Sequence, residues 1–173
     1  MIAPYTFTPE SNPVEINVSY SFVTKNGHEY RVTFSEVTKI TDFVDEMPVI
    51  SNGIYVIVDT VHENGMLGFD GRLGITIVEI IWHYLDHVDR FSILVFNCDS
   101  NDGKQVKRHY KFERWFRMYA DDMAFEKIDE EILEPSGDVY VPTFISVLFA
   151  QDHPRRELIF EEMQELKKKF TEK

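Results

Sequence analysis

The chain has 173 residues, 43% of them apolar and 14% aromatic, which excludes a disordered polymer and suits one domain with a single substantial core. Its formal net charge of -12 argues against non-specific nucleic-acid binding, because phosphate repels such a surface as a whole. The one cysteine, Cys98, rules out an intrachain disulfide and a four-cysteine zinc site, and it suits a reducing compartment.

The opening "MIAPYTFTPESNPVEINVSY" lacks the basic and apolar regions of a secretory signal. The longest apolar stretch, in "LGITIVEIIWHYL", is broken by Glu79 and His83 and is too short to span a bilayer. We expect a soluble, cytoplasmic protein that does not enter the membrane.

Residues 1–15 carry three prolines and little periodicity, so an extended N-terminal arm is expected there, followed by a single domain over 16–173. "INVSYSFVTKNGHEYRVTFSEV" reads as a β-hairpin. Val18, Tyr20 and Phe22 alternate with polar residues, as do Tyr30, Val32 and Phe34, and Asn26-Gly27 suits a type I′ turn between them. "GIYVIVDTVH" is a third strand. "ENGMLGFDGRLG", with four glycines, predicts a loop, and Thr76 with Glu79 has the spacing of a capping box opening a helix after it. "FSILVFNC" is apolar on both faces, as in a central strand covered by helices. A second helix runs from about Lys104 to Tyr119. "MAFEKIDEEIL" and "VYVPTFISVLFA" predict two strands around a turn at "EPSGD", with Pro142 at an edge or a bulge. The last helix follows "DHPRR", with Asp152 at the N-cap and lysines gathered at the C-terminal end. The order βββ-α-β-α-ββ-α, with strands grouped in hairpins at both ends, predicts a single-domain α+β fold with helices packed on a mainly antiparallel sheet.

Between Lys104 and Arg117 stand six bases and one acid, a local charge of +5, so the rest of the chain carries -17. On a helix, Phe112, Trp115, Phe116 and Tyr119 form a core face, and Lys104, Lys107, Lys111 and Arg114 gather on another side with Arg108 at the border. Two explanations compete. Eight acids and one base between Asp121 and Asp138 could neutralise the helix from within. Alternatively, Lys107, Lys111 and Arg114 form a partner-binding face. An acidic protein is the favoured partner over nucleic acid, because the aromatic residues are phased toward the core and do not interleave with the bases.

The loop "CDSNDGK" leads from a buried strand into a helix N-terminus, where free backbone N–H groups suit an anion. Asp99, Asp102, Gly103, Lys104 and Arg108 are the candidate ligand-binding residues there. Asp99 and Asp102 would repel an anion, the loop has too few glycines for a phosphate cradle, and Asp99, Ser100 or Asp102 could simply cap the helix. Cys98 with His109 as a base, His83 with His87 as zinc ligands at a spacing of four, and Asp59, Asp70, Asp99 and Asp102 as a magnesium site are further candidates. All are better explained as core or solvated residues, so no metal and no cofactor is expected.

The segment "CDSNDGKQVKRHYKFERWF", with "GRLGITIVEIIWHYL" before it and "FEKID" and "FAQDHP" after it, resembles a family of uncharacterised bacterial proteins classed as a domain of unknown function. The early "YSFVTKNGHEYRVTF" hairpin looks like the family's start. The resemblance implies a small intracellular bacterial protein and carries over no catalytic residue. With no nucleophile-base pair, Walker loop or dinucleotide fingerprint in view, the sequence leans away from an enzyme. It favours a non-enzymatic protein-interaction domain, by compositional analogy of the immunity or inhibitor kind. The alternatives are a ligand-binding protein or enzyme with its site at Cys98–Lys104, and nucleic-acid binding through the basic helix.

Overall fold

The computed structural model describes residues 2–10, 17–36, 47–66, 68–98, 103–119, 123–136 and 138–171. Seven strands form one sheet: β1 (Phe7–Glu10), β2 (Val18–Val23), β3 (Glu29–Glu36), β4 (Ile54–His62), β5 (Leu94–Cys98), β6 (Phe125–Ser136) and β7 (Val139–Ala150). Three helices complete the chain: α1 (Gly71–His87) after β4, α2 (Gln105–Tyr119) after β5, and α3 (Arg156–Thr171) at the end. The spatial order is β1-β2-β3-β4-β5-β7-β6. Every neighbouring pair is antiparallel except β4 and β5, which are parallel because α1 carries the chain from the end of one strand back to the start of the other. This is the α+β architecture, in the element order that periodicity predicts. The N-terminal segment adds β1 as a further edge strand.

Strand alternation divides the core into two layers. Tyr20, Phe22, Val32, Phe34, Val56, Leu94, Phe96 and Leu148 pack with α1 and α2 on one side of the sheet. Val95, Ile132, Ile145, Val147 and Phe149 pack with Ile159, Met163 and Leu166 of α3 on the other. Pro142 lies on β7 beyond the last β5 pairing, Cys98↔Phe144, where among the described residues only β6 flanks the strand, so it is locally at an edge.

Three local expectations are corrected. Residues 24–28 do not form a type I′ turn: Gly27 alone has positive φ (80°), its N–H donates to Thr24 O at 2.9 Å, and Thr24 N donates to His28 O at 2.9 Å. This three-residue loop needs the left-handed conformation at glycine only, so Asn26 is spared it. Helix α1 starts at Gly71, not after Thr76. The Asp70 side chain caps it by accepting from Arg72 N at 2.9 Å. Thr76 lies inside the helix, donating to Arg72 O at 2.7 Å and accepting from Tyr5 N at 2.8 Å. Asp152 does not cap α3: it pairs with Arg90 at 2.9 Å, while Arg155 N donates to His153 Nδ1 at 3.0 Å.

Tyr5 fastens the N-terminal segment to α1. Its hydroxyl donates to Asp70 Oδ2 at 2.9 Å and accepts from Lys25 N at 3.1 Å, and the Arg72 guanidinium lies 3.9 Å over its ring. On the opposite face, the buried Glu162 carboxylate of α3 accepts from Val49 N at 3.0 Å and Ile50 N at 2.9 Å, holding the short 3-10 turn at Ile50–Asn52. Replacing Glu162 by Leu strands both donors, and urea unfolding should show a loss of about 2–3 kcal/mol.

Gly74 sets the distance between α1 and α2. A Cβ at this position would stand 2.2 Å from Trp115 Cδ1, so the indole occupies the notch that the missing side chain leaves. Gly74→Ala gains about 1 kcal/mol of helix propensity, and it would stabilise the protein if Trp115 could move aside. We expect a net loss instead, in urea or thermal unfolding, with a larger loss for Gly74→Leu.

Candidate functional site

Helix α2 sits on the sheet through Phe112, Trp115 and Phe116. Phe96 meets Phe112 and Phe116 at ring separations of 5.8 and 6.4 Å. Trp115 fills the Gly74 notch and meets Phe112 edge-on at 5.3 Å. With that face turned inward, Lys107, Lys111, Arg114 and Arg117 are exposed.

The described acids of the 121–138 segment do not serve these cations. On β6 the residues alternate between faces, and the outcome follows from that period of two. Glu126 and Glu130 point to the α3 side, where they pair with Arg156 at 2.8 Å and Lys167 at 3.1 Å. Asp129 points to the α2 side and bonds Lys127 and Ser146. Among the described residues no ion pair reaches Lys107, Lys111, Arg114 or Arg117.

Lys111 and Arg114 stand together at the rim of a groove of about 600 Å³ between the start of α1 and the outer side of α2. Leu73, Trp115 and Tyr30 line it from within, and Phe69, Tyr110 and Met118 form its walls. Phe69 is 88% exposed and Tyr110 62% exposed, and Met66, three residues before Phe69 in the chain, is 93% exposed. Large exposed apolar side chains beside a groove make it a candidate binding surface. The Lys111 ammonium lies 4.8 Å over the Trp115 ring, and its pKa is lowered by desolvation although the residue as a whole is exposed.

A second concavity, of about 410 Å³, opens on another side of α2. The parallel pairing of β4 and β5 consists of Ile54↔Leu94 and Tyr55↔Val95 only. Beyond it the strands part, and Asp59 of β4, Asn97 and Cys98 of β5, and Arg108 and Phe112 of α2 line the gap.

The expected site residues therefore separate. Lys111 and Arg114 meet at the groove, Lys107 is exposed outside it, and Arg108 belongs to the strand cleft. Gly103 takes φ +68°, which a left-handed turn requires, and Lys104 holds the N-cap position of α2 with its carbonyl accepting from Arg108 N at 3.0 Å. Asp99, Ser100 and Asp102 lie outside the described residues. His109 stacks on Phe144 at 4.2 Å. His83 stacks on His87 at 4.4 Å and meets Tyr20 edge-on at 5.5 Å, so it packs against the sheet and does not face water alone. Asp70 is taken up by capping and Asp59 by the cleft. Among the described residues no three His, Cys, Asp or Glu side chains are placed to hold a metal ion, and no helix is long and apolar enough to cross a membrane. Sequence reasoning missed Phe69 and Tyr110 as groove walls and Asn97 in the cleft. Phe69 was legible as a large aromatic in a glycine-rich segment, whereas Asn97 had no signal beyond a polar residue in an apolar strand.

The folded pKa of Lys111 lies below its ordinary 10.5, so its charged form opposes folding at every pH beneath the folded value. That opposition fades as pH rises from the folded value toward 10.5. Lys111→Met keeps the packed stem and should be at least as stable as the parent at pH 7 by thermal unfolding, with any advantage shrinking at alkaline pH.

The model of a family of unknown function, DUF6169, matches residues 69–165, and the chain belongs to that family. The match begins at Phe69, so it takes in α1, most of the groove and α2, and leaves the first hairpin outside. No curated protein matches the chain.

Proposed function

We propose, for a member of a family without an assigned activity, a non-enzymatic protein-interaction domain that docks an acidic segment of a partner protein into the groove between α1 and α2. The observation that carries the reading is the pairing of Lys111 and Arg114 at the rim of an apolar groove, in a protein whose net charge is -12. A partner segment carrying Asp or Glu beside Leu or Phe would find cations at the rim and apolar surface within. Burial against Trp115, Phe69 and Tyr110 supplies affinity. Lys111 and Arg114 supply orientation, because elsewhere the acidic surface repels such a partner and the groove is a local positive island. A net charge of -12 repels a polyanion such as nucleic acid as a whole, which favours a protein partner whose acids are few and local.

Synthetic peptides alternating Asp/Glu with Leu/Phe test this, with Trp115 emission and peptide anisotropy as readouts. Binding should weaken by roughly tenfold or more when Lys111 and Arg114 are both reversed to Glu, and much less when Lys107 alone is reversed. Unaltered binding in the double reversal, or steeply salt-dependent binding of duplex DNA in place of the peptides, would count against the reading.

A further inference from the structure

We infer that the partner docked by the groove is a second copy of this chain, which presents the outer face of α3: Glu161 and Glu165 meet Lys111 and Arg114, and Leu158 enters against the apolar lining. The inference rests on the reading of the groove as a dock for an acidic segment, and it names that segment.

Helix α3 carries the chemistry that the groove would take. Its Ile159, Met163 and Leu166 are buried against the sheet. Glu161 and Glu165, four residues apart, are exposed on the other side. Leu158 is 40% exposed next to them, and the three residues share a shallow concavity of about 420 Å³ with Pro48, Gln164 and Lys168. The same sorting of charge that leaves the α2 cations alone leaves these acids alone. Arg156 and Lys167 turn toward β6, where they pair with Glu126 and Glu130. Among the described residues no ion pair reaches Glu161 or Glu165. At 1.5 Å per residue the two glutamates are set about 6 Å apart along their helix, and Lys111 and Arg114 about 4.5 Å apart along theirs. Two helices laid side by side can therefore bring both pairs of opposite charges into contact.

The contact has to be made between copies. Helix α2 packs on one side of the sheet and α3 on the other, so no chain can offer its own α3 to its own groove. A two-fold dimer cannot use both faces at once either, because they look away from each other. The association is head to tail and leaves a free groove at one end and a free α3 face at the other. Two copies of net charge -12 repel as a whole, so the association is weak and confined to the orientation in which opposite charges meet.

Sedimentation of the full chain at rising concentration, up to about 1 mM, tests the inference, because a millimolar dissociation constant already shows there. The average mass should climb with concentration and pass that of a dimer without levelling. Lys111→Glu with Arg114→Glu, and separately Glu161→Lys with Glu165→Lys, should each weaken self-association by roughly tenfold or more. All four residues are exposed, so both variants should keep the thermal unfolding of a folded protein. Mixed together, the two variants should form a one-to-one complex that grows no further, since each retains one intact face. A parent that stays monomeric, an α3 variant that associates as the parent does, or a mixture that forms no complex would overturn the inference. If the acidic peptides bind the parent while its copies do not associate, this inference alone falls; if neither binds, the docking groove falls with it.

Discussion

The seating of Trp115 in the notch of Gly74 is the contact on which both concavities beside α2 depend. Helix α2 is polar along most of its length and buries only Gln105 and Phe116 fully among its described side chains. Hydrophobic burial along such a helix is a weak guide to its position, so a close steric fit does more of the positioning. With a side chain at residue 74 the indole could not lie where it does. Because it does lie there, Phe112 and Phe116 meet Phe96 on the sheet, and Lys111 and Arg114 are carried to the rim of the groove.

The sheet also sorts charge. An acidic run beside a basic helix invites mutual neutralisation, yet the pleat of β6 sends Glu126 and Glu130 through to the opposite face, where α3 offers Arg156 and Lys167. Each such surface pair contributes only about 0–1 kcal/mol. The consequence for function is larger than the energy: Glu126 and Glu130 are spent on α3 and Asp129 on Lys127 and Ser146, and none of the three pairs with the outer face of α2. Among the described residues Lys107, Lys111, Arg114 and Arg117 are thus left without an ion pair on a protein that is acidic overall, and their field is local because salt screens it within roughly 8–10 Å.

One helix serves two concavities by its own geometry. At 100° per residue, Lys111, Arg114, Trp115 and Met118 share the side that faces the start of α1, while Arg108 and Phe112 turn toward the parted strands. The groove comes from packing one helix on another. The cleft comes from a sheet that pairs in parallel for two residues and then divides, because β4 follows β3 and β5 follows β7 as they twist apart.

Local pattern alone determined the α+β class, the order of elements, the strand identity of Phe125–Ser136 and the inward face of α2, because periods of 2 and 3.6 record which side of an element meets the core. It also singled out Lys107, Lys111 and Arg114 as an outer face of α2, without showing that Lys107 would stand apart from the groove the other two share. Cap positions were read less well: Asp70, and neither Thr76 nor Glu79, opens α1, since a stretch rich in glycine can still be helical when a neighbouring Trp needs the space. Asp152 was drawn away from α3 by Arg90, 62 residues distant in sequence. Which helix the β6 carboxylates would serve, where Arg108 would separate from Lys111, and that Asn97 would line a gap were decided only by tertiary structure. Each depends on residues far apart in the chain arriving on one face, and on strand pairing that ends early, neither of which leaves a trace in local spacing.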